Sequence, residues 1–155
     1  MTASHSIVVE ISQLMARYAD AVMRRDAEDW GATWAEDAVW NLSGNEVAGR
    51  EAIVQLWLGA MGGFPMVIHT AFPPAVRVID DDHARGRCTV REILRMPDDS
   101  AREIVGVYHD EFVRTAEGWR FASRRFDVLL ARPLDLSEAD IAPWPADTDP
   151  DFLRG

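Results

Sequence analysis

Few residue types in this sequence could carry out chemistry. All sixteen basic residues are arginines, which excludes a Schiff base, a phosphate-loop lysine and a lysine general base. The sequence also contains no GxSxG, HExxH or CxxC motif, so the common signatures of serine hydrolases, zinc peptidases and dithiol sites are missing. Catalysis would therefore depend on aspartate, glutamate, histidine, tyrosine and arginine, with serine, threonine and the single Cys88 as further candidates.

Asp26 and His69 each allow a structural and a chemical interpretation. Asp26, followed by Asp29, matches a helix N-cap with an acid three residues later, and the pattern alone favours capping. His69 lies in the apolar run "MVIHT", where a lone histidine is more often a core residue with satisfied hydrogen bonds. A neutral histidine is nevertheless a competent general base near pH 7. An aspartate bonded to one ring nitrogen would fix its tautomer and orientation.

Further candidates lie on the first helix and on two late strands. Tyr18 falls on the apolar face of the helix, where it could fill the core or face a site. Arg124 and Arg125 are neighbours on a predicted strand, so they must point to opposite faces. The preceding strand places three residues on one face: Tyr108, Asp110 and Phe112. Asp110 could be a second acid–base group, although a surface or interface carboxylate is the more common role.

The tryptophans are expected to form core and pocket wall rather than cofactor contacts. Trp40 and Trp57 are assigned to a predicted substrate pocket together with Tyr108, Asp110 and Phe112. The histidines and acids show no spacing typical of metal ligands, so no metal site is predicted.

These residues depend on helices in the first half and strands in the second. Apolar spacing predicts a helix over residues 7–22 and a short helix over 27–35, with Trp30 and Trp34 on one face. A strand at 38–42 and a turn "SGNE" lead to a third helix over 50–61, ended by two glycines. Long alternating strands then follow to about residue 133. This order predicts an α+β fold with an antiparallel meander.

Length and charge limit the organisation and the partners. The 155 residues suit one domain, assigned to 1–132 and followed by an acidic, proline-rich tail over 133–155. The net charge of −10 argues against nucleic-acid binding. No apolar run is long enough to span a membrane. The absence of a signal-peptide pattern and of a second cysteine favours a cytoplasmic protein.

The ordered set of motifs resembles the SnoaL-like branch of the nuclear transport factor 2-like superfamily. The resemblance covers roughly residues 7 to 128 and rests on these stretches: "YADAVMRRDAEDW", "DAVW", "GREAI", "H…VRVIDDDHARGR" and "VYHDEFVRTAEGWRFASRR". It implies a cone-shaped, cystatin-like fold in which three N-terminal helices pack on a bent, mixed and mostly antiparallel sheet. It also implies pairing into a homodimer or a higher homo-oligomer.

Within that branch the sequence is most similar to scytalone dehydratase, bile-acid 7α-dehydratase and hexachlorocyclohexane dehydrochlorinase. The resemblance implies that Asp26 and His69 form a dyad in a closed pocket, with Tyr18 and Arg124 assisting. Ala21 stands where the dehydrochlorinase has a lysine, which counts against halide elimination. Gly106 stands where scytalone dehydratase has a second histidine, which puts a scytalone-like substrate in doubt.

The implied function is a small cofactor-independent lyase of the dehydratase type. Its Asp–His dyad would remove a proton from an apolar cyclic or aromatic-like molecule, and no metal or organic cofactor would be needed. Two alternatives stay open at this point. One is an isomerase or polyketide cyclase that uses the same base, and the other is a ligand-binding subunit without chemistry, like the β subunits of aromatic-ring dioxygenases.

Overall fold

The computed structural model describes residues 3–146, 149 and 152, and it contains three helices and seven strands. The helices are α1 (Ala3–Arg24), α2 (Ala27–Gly31) and α3 (Arg50–Gly63). The strands are β1 (Trp34–Leu42), β2 (Asn45–Ala48), β3 (Met66–Ala71), β4 (Ala75–Val78), β5 (His83–Arg95), β6 (Ala101–Thr115) and β7 (Gly118–Leu134). The predicted α+β arrangement is confirmed.

The strands form one sheet in the order β2-β1-β7-β6-β5-β3, with β4 also paired to β5. Only the β1–β7 pair is parallel; the other described pairs are antiparallel. The register between β6 and β7 shifts at 105/106 and at 111/112, and such irregularities bend a strand and increase its twist. The sheet is therefore mixed, mostly antiparallel and bent, as predicted.

The core lies between one face of this sheet and the helices. The apolar side of α1 contributes Ile7, Ile11, Leu14 and Tyr18 at helical spacing, and α1 contacts β3, β4 and β7. Along β5 the buried residues alternate with exposed arginines and threonine, as expected for a strand with one covered face. The inner face therefore carries every second residue of the long strands.

The second helix is shorter than predicted, and the placement of Trp34 on it was wrong. The structure ends α2 at Gly31, and Trp34 is the first residue of β1. The reason is tertiary: the backbone N–H of Phe121 donates to the carbonyl of Thr33 at 2.9 Å, and Trp34 pairs with Phe121 in the parallel ladder. Trp30 and Trp34 still touch, edge to face, with ring centroids 5.5 Å apart.

A tight turn follows β1. Ser43 and Gly44 have positive φ angles of 50° and 96°, as the "SGNE" turn predicted, but the turn joins β1 to a strand, β2, that was not predicted. No helix in the described part of the chain is long and apolar enough to cross a membrane. Of the predicted acidic tail, residues 147–148, 150–151 and 153–155 lie outside the described residues; the division at 132/133 stays a prediction.

Candidate active site

His69 is buried on β3 and bonded to a carboxylate on the neighbouring strand. It lies directly opposite Glu92 of β5, and its Nδ1 is 2.8 Å from Glu92 Oε1. Because an ionised carboxylate can only accept, the proton of the neutral ring belongs on Nδ1 and the lone pair on Nε2. Among the described residues nothing hydrogen-bonds Nε2, although it is fully buried. The ring is therefore oriented with a basic nitrogen available.

The predicted hydrogen bond between Asp26 and His69 was wrong. Asp26 is the N-cap of α2, and its carboxylate accepts the N–H of Asp29 at 2.9 Å and a bond from Arg24 at 2.7 Å. The chain reversal explains this position: Arg25 has a φ of 59°, and the N–H of Asp26 donates to Ala21 at 3.0 Å, which closes α1. Asp26 is thereby directed to the start of α2, and its catalytic role stays a prediction.

Asp29, the acid three residues after the cap, is buried. Its side chain is 1% exposed and receives hydrogen bonds of 2.6 Å from both Arg17 and Arg24. The buried charge is therefore paired with two guanidinium groups, as burial of a charge requires. This network joins α1 to α2 and supports a structural role for the acids around Asp26.

Arg124 and Arg125 point to opposite faces of the sheet, as the strand alternation predicted, and the structure identifies Arg124 as the one that faces the interior. Arg124 binds Asp110 through two hydrogen bonds of 2.8 and 2.9 Å, and both side chains are almost completely buried. The interpretation of Asp110 as a surface carboxylate was therefore wrong; it lies directly opposite Arg124 in the β6–β7 ladder. Burial disfavours the charge of Arg124, but the carboxylate of Asp110 outweighs it and raises the pKa of Arg124.

Two tyrosines connect His69 to this ion pair. The ring of Tyr18 is 5.9 Å from His69 and 6.2 Å from Tyr108, measured between centroids. The guanidinium carbon of Arg124 lies 4.3 Å from the Tyr18 ring and 3.8 Å from the Tyr108 ring, within cation–π range. Burial raises the pKa of both tyrosines, against the opposing charge of Arg124. Their hydroxyls are therefore neutral at pH 7 and able to donate.

The remaining predicted pocket residues form the walls of this cluster. Trp30 stacks on Trp57 at 4.7 Å and touches Trp40 at 5.5 Å, while Phe112 packs on Phe121 at 5.2 Å. Trp40, Trp57 and Phe112 are all buried. The structure thus brings Tyr18, His69, Tyr108, Asp110 and Arg124 together at the centre, and it places these aromatic residues around them.

The sequence did not reveal Glu92, although a signal was present. The buried positions of β5 are Ala84, Gly86, Cys88, Val90 and Leu94, and Glu92 falls in the same alternation. A carboxylate in an otherwise apolar face indicates a buried partner. Only the β3–β5 register identifies that partner as His69.

A cavity of about 570 Å³ lies beside the strand that carries His69. Its walls come from the end of α1, from β3 and from residues 140–145 of the tail. Met23 lines this cavity, and its Sδ accepts the backbone N–H of His69 at 3.1 Å. In the described residues no group of three or more His, Cys, Asp or Glu side chains is placed to hold a metal ion.

Comparison with known proteins agrees with this fold. The chain is 31% identical over 120 residues to an uncharacterized protein of Mycobacterium tuberculosis, covering 75% of this chain and 81% of that one. A scytalone dehydratase-like protein of Novosphingobium aromaticivorans superposes with a TM-score of 0.79 at 18% identity, covering 95% of this chain and 97% of that one.

The hexachlorocyclohexane dehydrochlorinase (type 3) of Novosphingobium barchaimii superposes with a TM-score of 0.78 at 20% identity, covering 92% and 97% of the two chains. At these identities the two structures support the fold alone. The family model for the SnoaL-like domain matches residues 5–125, which is most of the sequence. This protein therefore belongs to the SnoaL-like family.

Proposed function

We propose that this protein is a lyase of the dehydratase type, in which His69 is the general base and Glu92 orients it. The observation that carries the proposal is the environment of His69. Its side chain is 2% exposed and its Nδ1 is bonded to Glu92. Its Nε2 is buried without a partner in the described part of the chain. With Nδ1 donating to Glu92, Nε2 is the ring nitrogen that can accept a proton from a substrate.

In the proposed reaction Nε2 removes a proton from a carbon next to a carbonyl or aromatic ring. The electrons of that C–H bond form the new double bond, and the bond between the neighbouring carbon and its hydroxyl breaks. The imidazolium returns the proton to the departing oxygen, either directly or through the hydroxyl of Tyr18, which it reprotonates, so that water leaves. Glu92 stabilises the imidazolium while it exists. Each proton transfer in these steps is made by a side chain of this protein.

The tyrosines and Arg124 supply the electrostatic part of the proposal. The neutral hydroxyl of Tyr18, which accepts a hydrogen bond from Tyr108, can donate to an oxygen on which negative charge develops. Arg124 contacts both rings and contributes positive potential in a buried site where electrostatic interactions are strong. Because it is already bound to Asp110, Arg124 acts as a positioning residue and a source of potential rather than as a free donor.

An apolar cyclic substrate fits the surroundings of His69. The walls are aromatic, and three of these residues, Trp30, Trp34 and Trp40, carry buried indole N–H groups without partners in the described residues, so a substrate oxygen could accept from them. The cavity beside β3 has about 570 Å³, within the range of roughly 300–1,000 Å³ found for small-molecule sites. His69 itself does not line this cavity, so the proposal requires side chains at β3 to move before a substrate reaches Nε2.

The test uses a panel of cyclic β-hydroxy ketones incubated with the protein in D₂O and followed by mass spectrometry. Loss of one water from a panel member identifies the lyase, and His69→Gln should abolish that loss. Glu92→Gln should lower kcat on the order of 10²–10⁴-fold, because the ring loses its orientation. Asp26→Asn is the matched control, since it also replaces a carboxylate by an amide and should change turnover little.

Two results would contradict this assignment. Unchanged turnover in His69→Gln removes the histidine from the mechanism. A loss in Asp26→Asn as large as that in Glu92→Gln returns the orienting role to Asp26. Circular dichroism of each variant shows whether the fold is intact.

The alternative is an isomerase or polyketide cyclase on the same residues. It is favoured by the pairing of Arg124 with Asp110, because an arginine already neutralised by a carboxylate is less available to a departing group. A deuterated product that has lost no water would support it, whereas binding without any change in mass would support a ligand-binding subunit. Homodimerisation and a cytoplasmic location stay predictions.

A further inference from the structure

The face of the sheet turned away from α1 carries a cluster of arginines. A cleft of about 580 Å³ on this face is lined by Arg77 of β4, Arg85 and Arg87 of β5, His109 of β6 and Arg125 of β7. We call it the arginine cleft. Arg124, the neighbour of Arg125, points to the opposite side and contacts Tyr18. Glu111 and Asp110 also line the cleft, but the carboxylate of Asp110 is bonded to Arg124 on the inner face. The arginine side chains are therefore separated from His69 by the sheet.

The register of the strands places two of the arginines directly opposite each other and His109 between two more. Arg77 lies opposite Arg85 in the β4–β5 ladder. Arg87 lies opposite His109, and His109 lies opposite Arg125. Like charges directly opposite each other on neighbouring strands are destabilising. The arrangement therefore has an electrostatic cost in the unliganded protein.

The acids near the cleft compensate only part of this charge. Arg85 is bonded to Glu111 and Arg125 to Asp127, each at 3.0 Å. Arg77 and Arg87 have no ion pair within the described ranges, and both are exposed. This excess of positive charge occurs in a chain whose net charge is −10, so it is a local reversal. Tail residues 140–145 line the cavity at α1 and β3, so this part of the chain does not cover the arginine cleft.

We infer that the arginine cleft binds a small anion with at least two negative charges, of the phosphate or carboxylate kind. Guanidinium groups match both chemistries, because their planar N–H donors bind two oxygens at once. The volume of the cleft suits a small molecule. An anion bound in the cleft would relieve the repulsion between Arg77 and Arg85, which lie directly opposite each other, and this relief adds to the affinity.

Isothermal titration calorimetry with pyrophosphate and with citrate tests the inference, at one ionic strength held constant with sodium chloride. The wild-type protein should bind at least one of the two with a saturable, one-to-one isotherm; the preferred anion distinguishes phosphate from carboxylate recognition. The variant Arg77→Gln/Arg87→Gln should bind it about tenfold more weakly for each arginine removed. Arg102→Gln is the control for the loss per arginine removed, because it takes one charge from an exposed arginine of β6 outside the cleft.

Each contrary outcome overturns the inference. The first is the absence of saturable binding of both anions to the wild-type protein. Light scattering reports whether the protein is a monomer or a dimer that covers this face, and the absence of binding overturns the inference in either case. The second is an equal loss in Arg102→Gln, which would mean that only the overall charge matters. A thermal melt of each variant confirms that the protein titrated is folded. The substitutions lie on the other face of the sheet from His69, so a failed cleft and a failed lyase assignment are distinguishable.

Discussion

The buried ion pair between Arg124 and Asp110 allows a quantitative test of what holds the centre of the molecule together. Asp110→Asn keeps the shape of the side chain but leaves the Arg124 guanidinium, which is 2% exposed, with an uncompensated charge. Breaking a buried pair in this way costs about 3–5 kcal/mol. The three rings within 4.3 Å of the guanidinium carbon stay in place and offset part of that, so we expect about 3 kcal/mol.

This loss is large enough to measure by calorimetry. In a domain of this length about 1 kcal/mol corresponds to about 2–4 °C in Tm, so the variant should melt roughly 6–12 °C below the wild type. The double variant Asp110→Leu/Arg124→Met removes both charges and should recover most of that difference, because well-packed apolar replacements of buried pairs are often neutral.

Two results would contradict a destabilising, uncompensated charge on Arg124. One is an Asp110→Asn variant that melts within about 2 °C of the wild type. The other is a double variant that is no more stable than the single one. The double variant also addresses the role of Arg124. If it folds and retains full turnover in the panel assay, the arginine is structural only. If it folds and turnover falls, the positive potential at Tyr18 and Tyr108 contributes to the reaction.

Two further predictions concern stability on the other face of the sheet and at one glycine. Hydrogen bonds from Arg91 and then Arg132 lower the pKa of Glu103 below its ordinary value of 4.5. The ionised carboxylate of Glu103 therefore stabilises the folded protein above about pH 4.5. This stabilisation is lost as the pH falls through the folded-state pKa. Glu103→Gln should thus lower Tm at pH 7 and converge with the wild type at low pH, and parallel curves over the whole range would contradict this. Gly106→Ala should cost about 1–3 kcal/mol in urea denaturation, because a Cβ there would overlap the Phe126 ring and lie 2.9 Å from the Asp127 carbonyl oxygen. An unchanged midpoint would show that the strand can shift to make room.

Gly106 also determines whether a second histidine could stand near the site. Gly106 was aligned with the second histidine of scytalone dehydratase. The ring of Phe126 and the carbonyl of Asp127 fill the space that such a side chain would need. A second catalytic histidine at this position is therefore sterically excluded in this chain, which agrees with the departure noted in the sequence.

Local patterns determined most of the elements and much of the inner face. Three-and-four spacing identified α1, and glycines after Met61 marked the end of α3. Period-two alternation placed Tyr108, Asp110 and Phe112 on one face and separated Arg124 from Arg125. These features depend on neighbours within a few residues, and such neighbours can be identified from the sequence. The end of α2 could not be identified in this way, because Trp34 belongs to β1 through its pairing with Phe121, a residue far away in the chain.

The identity of the carboxylate beside His69 depended on tertiary structure alone. From the sequence, Asp26 and Glu92 were both acids at unknown distances from the histidine, and Glu92 was not singled out. The turn after Arg24 directs Asp26 to the start of α2, whereas the β3–β5 register places Glu92 opposite His69. Residue types and periodicity thus determined which side chains face inward. Which of them meet depends on strand register and chain reversal, because these set distances between residues remote in sequence.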